Sequence, residues 1–409
     1  MVSVENFLAT HFYKSTDNRR SASAPAVRVA TLGIALGLAV MIITQGVVSG
    51  FQKEVSTKIT GMASHIEVMD VRSLGSPENF AIDATPQFLS QIKASPNVTH
   101  TQLIATKMGI LKTNDDFLAI QLKGIGPDYD STYIRSALVE GHLPHSNEIL
   151  ISRTQAQTLK LKTGDRVFAY FFEEDIHTRR FTVCGIYDTH MEFFDRTTIF
   201  APFADVAALN PWGEERPHAC CCIEVKLRSL DDVPATQPLL ANITATHTGG
   251  RAQAVSVAEH YPGKFAWLNL LNINMALILI LMVCVAGITM IGGLLILILE
   301  RTQTIGILKA LGATNKQVRH TFMHFALMII VRGMLIGNVI ALALICAQQQ
   351  WGLVRLNPDI YYVDTVPVGL NLWPIIAINI ATLAITMLAL IVPSHIITRI
   401  QPAKAIRFE

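Results

Sequence analysis

Residues 29–48 read VATLGIALGLAVMIITQGVV, 20 positions without a charge. Runs of the same kind return over 275–299 (MALILILMVCVAGITMIGGLLILIL), 321–347 (TFMHFALMIIVRGMLIGNVIALALICA, where Arg332 is the one charge) and 372–392 (LWPIIAINIATLAITMLALIV). With a helical rise of about 1.5 Å per residue, each is long enough to cross a hydrocarbon layer about 30 Å thick. A polar block of about 214 residues separates the first run from the other three. The expected architecture is therefore membrane α-helical, with four transmembrane helices and a large α+β external domain between helices 1 and 2.

The boundaries follow from where the runs stop. A polar segment (1–28) precedes the first span (29–48), and the external domain with its stalks occupies 49–264. The second span with an outward extension covers 265–299, and a polar elbow covers 300–320. The third span (321–347), a short external loop (348–371), the fourth span (372–392) and a tail (393–409) complete the chain. Half the residues are apolar (51%), 16% are charged and the mean hydropathy is +0.39, which suits a membrane protein carrying a sizeable soluble lobe. A net charge of +2 does not suit a nucleic-acid binder. The first run begins after 28 residues and no small-x-small cleavage site follows it, so it reads as an anchor and not a removable signal.

Basic residues set the orientation. Lys14, Arg19, Arg20 and Arg28 precede the first span, the elbow carries Arg301, Lys309, Lys316 and Arg319, and the tail carries Arg399, Lys404 and Arg407. The loop between spans three and four has Arg355 beside Asp359 and Asp364. Both termini and the elbow are expected in the cytoplasm and the 214-residue lobe outside, with Trp351 and Trp373 at the outer interface.

Within that lobe, short alternating segments (65–71, 101–111, 117–122, 166–172, 180–187, 196–200, 222–227) read as strands, and 152–161, 203–209 and 233–243 as helices. Phe51, Val55 and Ile59 recur every four residues and continue the first span outward as an amphipathic stalk. The charge-free stretch 265–299 would be about 52 Å long as a helix; Asn269, Asn272 and Asn274 mark its watery part. Cys184 and the triplet Cys220–Cys222 read as small buried residues sooner than as a disulfide framework, because neighbours in a strand face opposite ways. His142 and His145 flank Pro144 and read as turn residues.

No G-x-x-x-x-G-K-[ST] phosphate loop, H-E-x-x-H or G-x-S-x-G occurs in the 409 residues, and the spans contain no Asp or Glu. Neither ATP hydrolysis by this chain nor ion-coupled transport is expected; any work must be supplied by a partner. Arg332, about 11 residues inside the third span, must face a helix, water or a lipid phosphate. Gly33-x-x-x-Gly37 and Gly333-x-x-x-Gly337 permit close helix packing.

The elbow carries the sharpest local signal. Ile305, Leu308 and Leu311 share one face of a short helix, Gly312 is placed to end it in the left-handed region, and Thr314 with Gln317 forms a capping box for the next helix. Such a helix either rests on lipid or docks into a groove of a cytoplasmic partner.

Three stretches carry a resemblance: the first span with its continuation to Gln52, the elbow ERTQTIGILKALGAT (300–314) and the tail QPAKAIRFE (401–409). Together they resemble the lipoprotein-releasing permeases of the LolC/LolE family, within the wider MacB/FtsX-like group of ABC transporter subunits. KGIGP (123–127), LKTGD (161–165) and VCGIY (183–187) match in order and spacing. The resemblance implies a non-catalytic permease subunit in the inner membrane of a Gram-negative bacterium, with the external domain periplasmic and MacB-like. It binds no cofactor of its own; ATP and Mg belong to two copies of a cytoplasmic ABC ATPase. A second permease, identical or homologous, completes the membrane part. Lipoproteins extracted from the outer leaflet would pass to a periplasmic lipoprotein carrier, amid membrane lipids and without nucleic acid.

By the same resemblance, Glu300, Arg301, Ile305, Gly306, Leu308, Lys309, Leu311 and Gly312 would couple to the ATPase. Val47, Val48, Phe51, Leu271 and Met275, with Arg332, would line a cavity for lipid. One departure stands out: the connection 173–179 is short, acidic at its start and lacks the proline-containing loop of carrier-recruiting members. The alternatives are a MacB-like mechanotransmission efflux pump subunit, an FtsX-like regulator of a cell-wall hydrolase, and a scaffold without an ATPase.

Overall fold

The computed structural model describes residues 24–394, apart from Gly75, 77–79, 114–115, 173–175, 213–215 and Pro217. Lys14, Arg19 and Arg20, the tail with Arg399, Lys404 and Arg407, and the start of the 173–179 connection lie outside the described residues. The chain divides into two units. A membrane unit runs through Lys53, Leu268–Arg355 and onward from Thr365; an external unit holds Glu54–Trp267 and Leu356–Asp364.

The membrane unit is built on α1 (Ala24–Ala63), α2 (Pro262–Glu300), α3 (Thr302–Ala310), α4 (Asn315–Trp351) and α5 (Leu372–Ala389). Among the described residues four helical stretches are long and apolar enough to cross a membrane: Val27–Ala63, Pro262–Glu300, Asn315–Trp351 and Leu372–Ser394. Leu277, Ile280 and Ile288 on α2 are all more than 60% exposed, the kind of face that lipid solvates. Glycine decides the packing. A Cβ on Gly337 would lie 2.6 Å from the Ala35 carbonyl oxygen, and one on Gly33 would lie 2.9 Å from Thr289 Cγ2. The two small-residue motifs thus serve different contacts inside one chain, α4 against α1 and α1 against α2. Asn338 and Asn379 exchange side-chain hydrogen bonds of 2.8 and 3.1 Å between α4 and α5, satisfying two amides in an apolar setting. Trp351 and Trp373 are exposed at helix ends, 70% and 81%.

The external unit consists of two lobes that share one long strand. Six strands close into a ring: β3 (Val98–Lys112) pairs β4 (Phe117–Ile125), which pairs β9 (Thr198–Pro202). The ring continues through β6 (Glu148–Ser152), β8 (Ile176–Tyr187) and β7 (Arg166–Phe172), and β7 returns to β3. Inward residues such as Ile120, Leu122, Ile149, Phe171 and Ile199 fill it. Beyond β3 the sheet extends through β11 (Cys222–Leu227) and β1 (Ile66–Asp70) to β12 (Ala252–Ser256). The helices Pro86–Lys93 and Val233–Thr248 cover one face, around Phe88, Ile223 and Leu240.

The α+β reading holds for this lobe. Two details differ from the periodicity. Residues expected to open a strand at 196 end a helix instead (Glu192–Thr197), and β5 (Leu138–Gly141), β6, β12 and the short pair β2 (Ile82–Asp83) and β10 (Ala219–Cys220) are strands the alternation did not mark. The six cysteines are free, and Cys184 and Cys220–Cys222 are buried.

Candidate functional site

The external unit joins its two long helices to neighbouring strands. At the end of α1, Ser64 adopts φ +69° and only His65 separates it from β1. On the other side β12 passes through the single turn Val257–His260 into α2 at Pro262. β1 and β12 are antiparallel partners, with Ile66 opposite Ser256, and Val257 N–H donates to the His65 carbonyl at 3.0 Å. Both helix ends are therefore tied, through at most one turn of chain, to adjacent strands, β1 and the edge strand β12.

A row of buried charge sits at this junction. Glu67, Glu224 and Gln102 are successive cross-strand partners on β1, β11 and β3, so they share one face, and all three are buried. Two carboxylates side by side need a counter-charge, and Lys123 on β4 supplies it. Its ammonium, 8% exposed, donates to Glu224 Oε1 at 2.5 Å and to the Met62 carbonyl oxygen in the last turn of α1. The carbonyls of a last helical turn lack intrahelical donors and carry the negative end of the dipole, so Lys123 caps α1 from the sheet. Burial alone would lower the Lys123 pKa, but Glu224, with Tyr129 and Glu67, overrides it and the pKa is raised. Gln102 Nε2 donates to the second Glu224 oxygen at 2.5 Å. At the α2 side His260 Nδ1 lies 3.0 Å from Glu67 Oε2, close enough for an ion pair though bent away from a straight hydrogen bond. That carboxylate raises the imidazole pKa against the opposing effect of burial. The row borders a cavity of about 450 Å³ that reaches Met62 on one side and Pro262 on the other. Neither the lysine cap nor the acid row was read from sequence. Only the KGIGP motif pointed to Lys123, and nothing local pairs it with a residue about 100 positions away.

The elbow forms as its signals require. α3 ends at Ala310, Gly312 takes φ +96°, Ala313 N–H donates to Leu308 O at 2.9 Å and Gly312 N–H to Lys309 O at 3.1 Å. These two bonds define a Schellman turn. Thr314 and Gln317 form the capping box that starts α4. The expected shared face of Ile305, Leu308 and Leu311 is corrected, because Leu311 falls beyond the helix. Ile305 is fully buried with Leu297, Ile298, Val318 and Phe322, and Gly306 is buried beside it. Leu308, Arg301 and Lys309 are half-buried; Glu300, Gly312, Ile307 and Leu311 are exposed, Leu311 by 81%. Ile307 and Leu311 are the large apolar side chains that the elbow exposes, while Ile305 and Gly306 are anchored inward.

Of the residues assigned to a lipid cavity, Val47, Val48 and Phe51 on α1 and Leu271 and Met275 on α2 are half-buried. Gln52 Nε2 donates to the Leu268 carbonyl at 3.0 Å and ties the two helices at this level. Gly46 and Gly50 pack on the 367–369 segment. Arg332 is not gathered with them. Its neighbour Gly333 packs on Thr31 and Ile34, and Val47 lies about 20 Å further along α1.

Three ligand atoms of His142, Glu148 and Cys184 come within 4.8 Å of one another. The Cys184 thiol donates to the Ile149 carbonyl at 3.2 Å, and burial pushes its pKa up to about 12, so it is held as the thiol. At the β7–β8 end, Phe168, Phe172 and Ile176 are exposed, and Phe117 and Phe168 flank Lys112 as its partners on either side. Phe172 and Ile176, on either side of positions 173–175, are thus both exposed apolar side chains.

Two family models match: an FtsX-like permease C-terminal region over residues 274–402 and a MacB-like periplasmic core domain over residues 29–243. The lipoprotein-releasing system transmembrane protein LolC of Neisseria meningitidis serogroup B is 22% identical, with 100% of both chains covered. LolE of the same system from Haemophilus influenzae is 20% identical over 98% of each chain. The macrolide export ATP-binding/permease protein MacB of Psychrobacter cryohalolentis is 22% identical over 76% of this chain and 48% of its own length.

Proposed function

The chain belongs to the family that joins a MacB-like periplasmic core domain to an FtsX-like permease region, and from that premise we propose that it releases lipoproteins from the inner membrane. In this reading it is the permease subunit of an ABC transporter, and the energy comes from a separate ATPase in two copies. It pairs with a second permease, identical or homologous. The observation that carries the reading is likeness along the whole length, domain and spans together, to transmembrane proteins of the lipoprotein-releasing system.

The work is mechanical. ATPase closure presses on Ile307 and Leu311, and the Schellman turn keeps the elbow from yielding. The push enters α2 at Glu300, and α2 is helical without a break from Glu300 back to Pro262. At Pro262 it meets β12, and β12 lies beside β1, where α1 ends. The cargo needs no ion path: acyl chains fit an apolar cleft such as the one expected at Val47, Val48, Phe51, Leu271 and Met275. Exposed Phe117, Phe168, Phe172 and Ile176 offer a lipoprotein carrier an apolar edge in place of a proline loop.

Depletion of the chain is expected to leave mature lipoproteins in the inner membrane, measured by fractionating the two membranes. Export of a drug lost without that retention would select the MacB-like alternative, which the 76% match favours as second reading. An ATPase subunit should co-purify with the wild type and be lost on Leu311→Asp; co-purification unaffected by that change would overturn the coupling role.

A further inference from the structure

The membrane unit has an unusual charge inventory. Among its described residues stand eight lysines and arginines and one carboxylate, Glu300. Part of this excess faces a built concavity. Where the first turns of α4 run beside the end of α5 and the turn Ile391–Ser394, a cavity of about 350 Å³ opens. Its walls are apolar (Met323, Leu327, Met387 and Ile391), and its polar groups are Arg319, His320, His324 and the Ser394 hydroxyl. Among the described residues no carboxylate lines it. His324 Nδ1 donates to the His320 carbonyl at 2.9 Å, which fixes the ring and leaves Nε2 as its remaining nitrogen. Arg319 and His324 are half-buried, five positions apart on α4, and both line the cavity.

We propose that this cavity is a binding site for an anionic diacyl phospholipid, the phosphate held by the Arg319 guanidinium and by Nε2–H of His324 in its protonated form, and an acyl chain laid along Met323, Met387 and Ile391. Three features support that occupant over others. The pairing of a cationic rim with an apolar floor matches a phosphate joined to hydrocarbon, and free phosphate would leave the floor bare. The guanidinium is a planar fork of donors suited to phosphate oxygens. The chain's own continuation past Ser394 carries Arg399, Lys404 and Arg407 against one acid, Glu409, so its charge has the same sign as the rim. The site is distinct from the cleft proposed for cargo at the other end of α1, and the bound lipid would be a resident of the helix bundle.

The test uses the full chain in its assembled complex, in nanodiscs of phosphatidylethanolamine with about one tenth phosphatidylglycerol. A photoactivatable phosphatidylglycerol carries the reactive group in an acyl chain, and the same analogue of phosphatidylethanolamine serves as control. Adducts on the phosphatidylglycerol probe are expected to map to 319–327 and 387–394. Since each cationic group near the surface contributes about a fivefold preference for anionic lipid, Arg319→Gln should cut the yield about fivefold. Arg319→Lys should retain most of it, and Met387→Trp should block the floor while leaving the charge intact; the melting temperature of each variant shows that it is folded. Equal labelling by the phosphatidylethanolamine probe, or a yield unchanged in folded Arg319→Gln and Met387→Trp, overturns the proposal. So does labelling that emerges only when residues 395–409 are removed, since the tail would then be the native occupant.

Discussion

Replacing Lys123 by Met leaves Glu224, 2% exposed, without its counter-charge and the last turn of α1 without its cap. Removing one member of a buried pair costs about 3–5 kcal/mol, whereas removing both is close to neutral. Lys123→Met is therefore expected to lower thermal stability sharply, and Lys123→Met with Glu224→Gln to regain much of it, read as melting temperatures of the full chain in detergent. A double variant as unstable as the single one would show that the pair is not what matters. His65 offers a second test at this scale. Burial, with Lys226 adding to it, lowers its pKa from 6.5 to about 4, and its Nδ1 accepts from Leu227 N–H at 3.3 Å. Between those values the unfolded chain binds the extra proton, so stability present above pH 6.5 is lost as pH falls toward 4. Asp195 works against it: burial raises its pKa from 3.8 to about 6, so its contribution is present below 3.8 and lost as pH rises through 6. The readout is accordingly a difference. Wild type minus His65→Gln in melting temperature should decline steadily from pH 6.5 to 4, and a flat difference would remove His65 from the account.

At the scale of elements, glycine separates two kinds of constraint. Gly312 needs its φ of +96°, and a methyl added there would meet nothing within 4 Å, so Gly312→Ala is a purely conformational change of about 1 kcal/mol. The chain should still fold, while the elbow loosens and ATPase activity of the complex falls. Gly337 is the reverse case, a helical residue whose Cβ would strike Ala35 O at 2.6 Å. Gly337→Leu should depress the melting temperature well beyond Gly292→Ala, whose methyl meets nothing within 4 Å; similar losses in both would argue that α1 and α4 do not pack through glycine. The elbow's Gly312 and its Thr314–Gln317 box were legible in the sequence because caps are local chemistry, settled within six residues. The inward turn of Ile305 was not, since it depends on Val318 and Phe322 arriving from the next helix.

For the whole molecule, the basic residues predict a topology that labelling can read. A cysteine at His145 should react with an impermeant maleimide in intact spheroplasts, and one at Leu311 only after permeabilisation. The opposite pattern would place the external unit in the cytosol and end the proposed function.

The spans, the large insert after the first of them and the two caps of the elbow were determined by the sequence alone, because run length against bilayer thickness and short-range hydrogen bonding need no distant partner. The six-strand ring, the lysine that closes the end of α1 and the cationic cavity beside α5 were decided by tertiary structure. The pairing of β3 with β7 that closes the ring, the contacts of Lys123 and the two walls of the cavity each join residues about 60 to 100 positions apart, and which carboxylate a buried ammonium meets is set by strand order, which alternation along a chain does not encode.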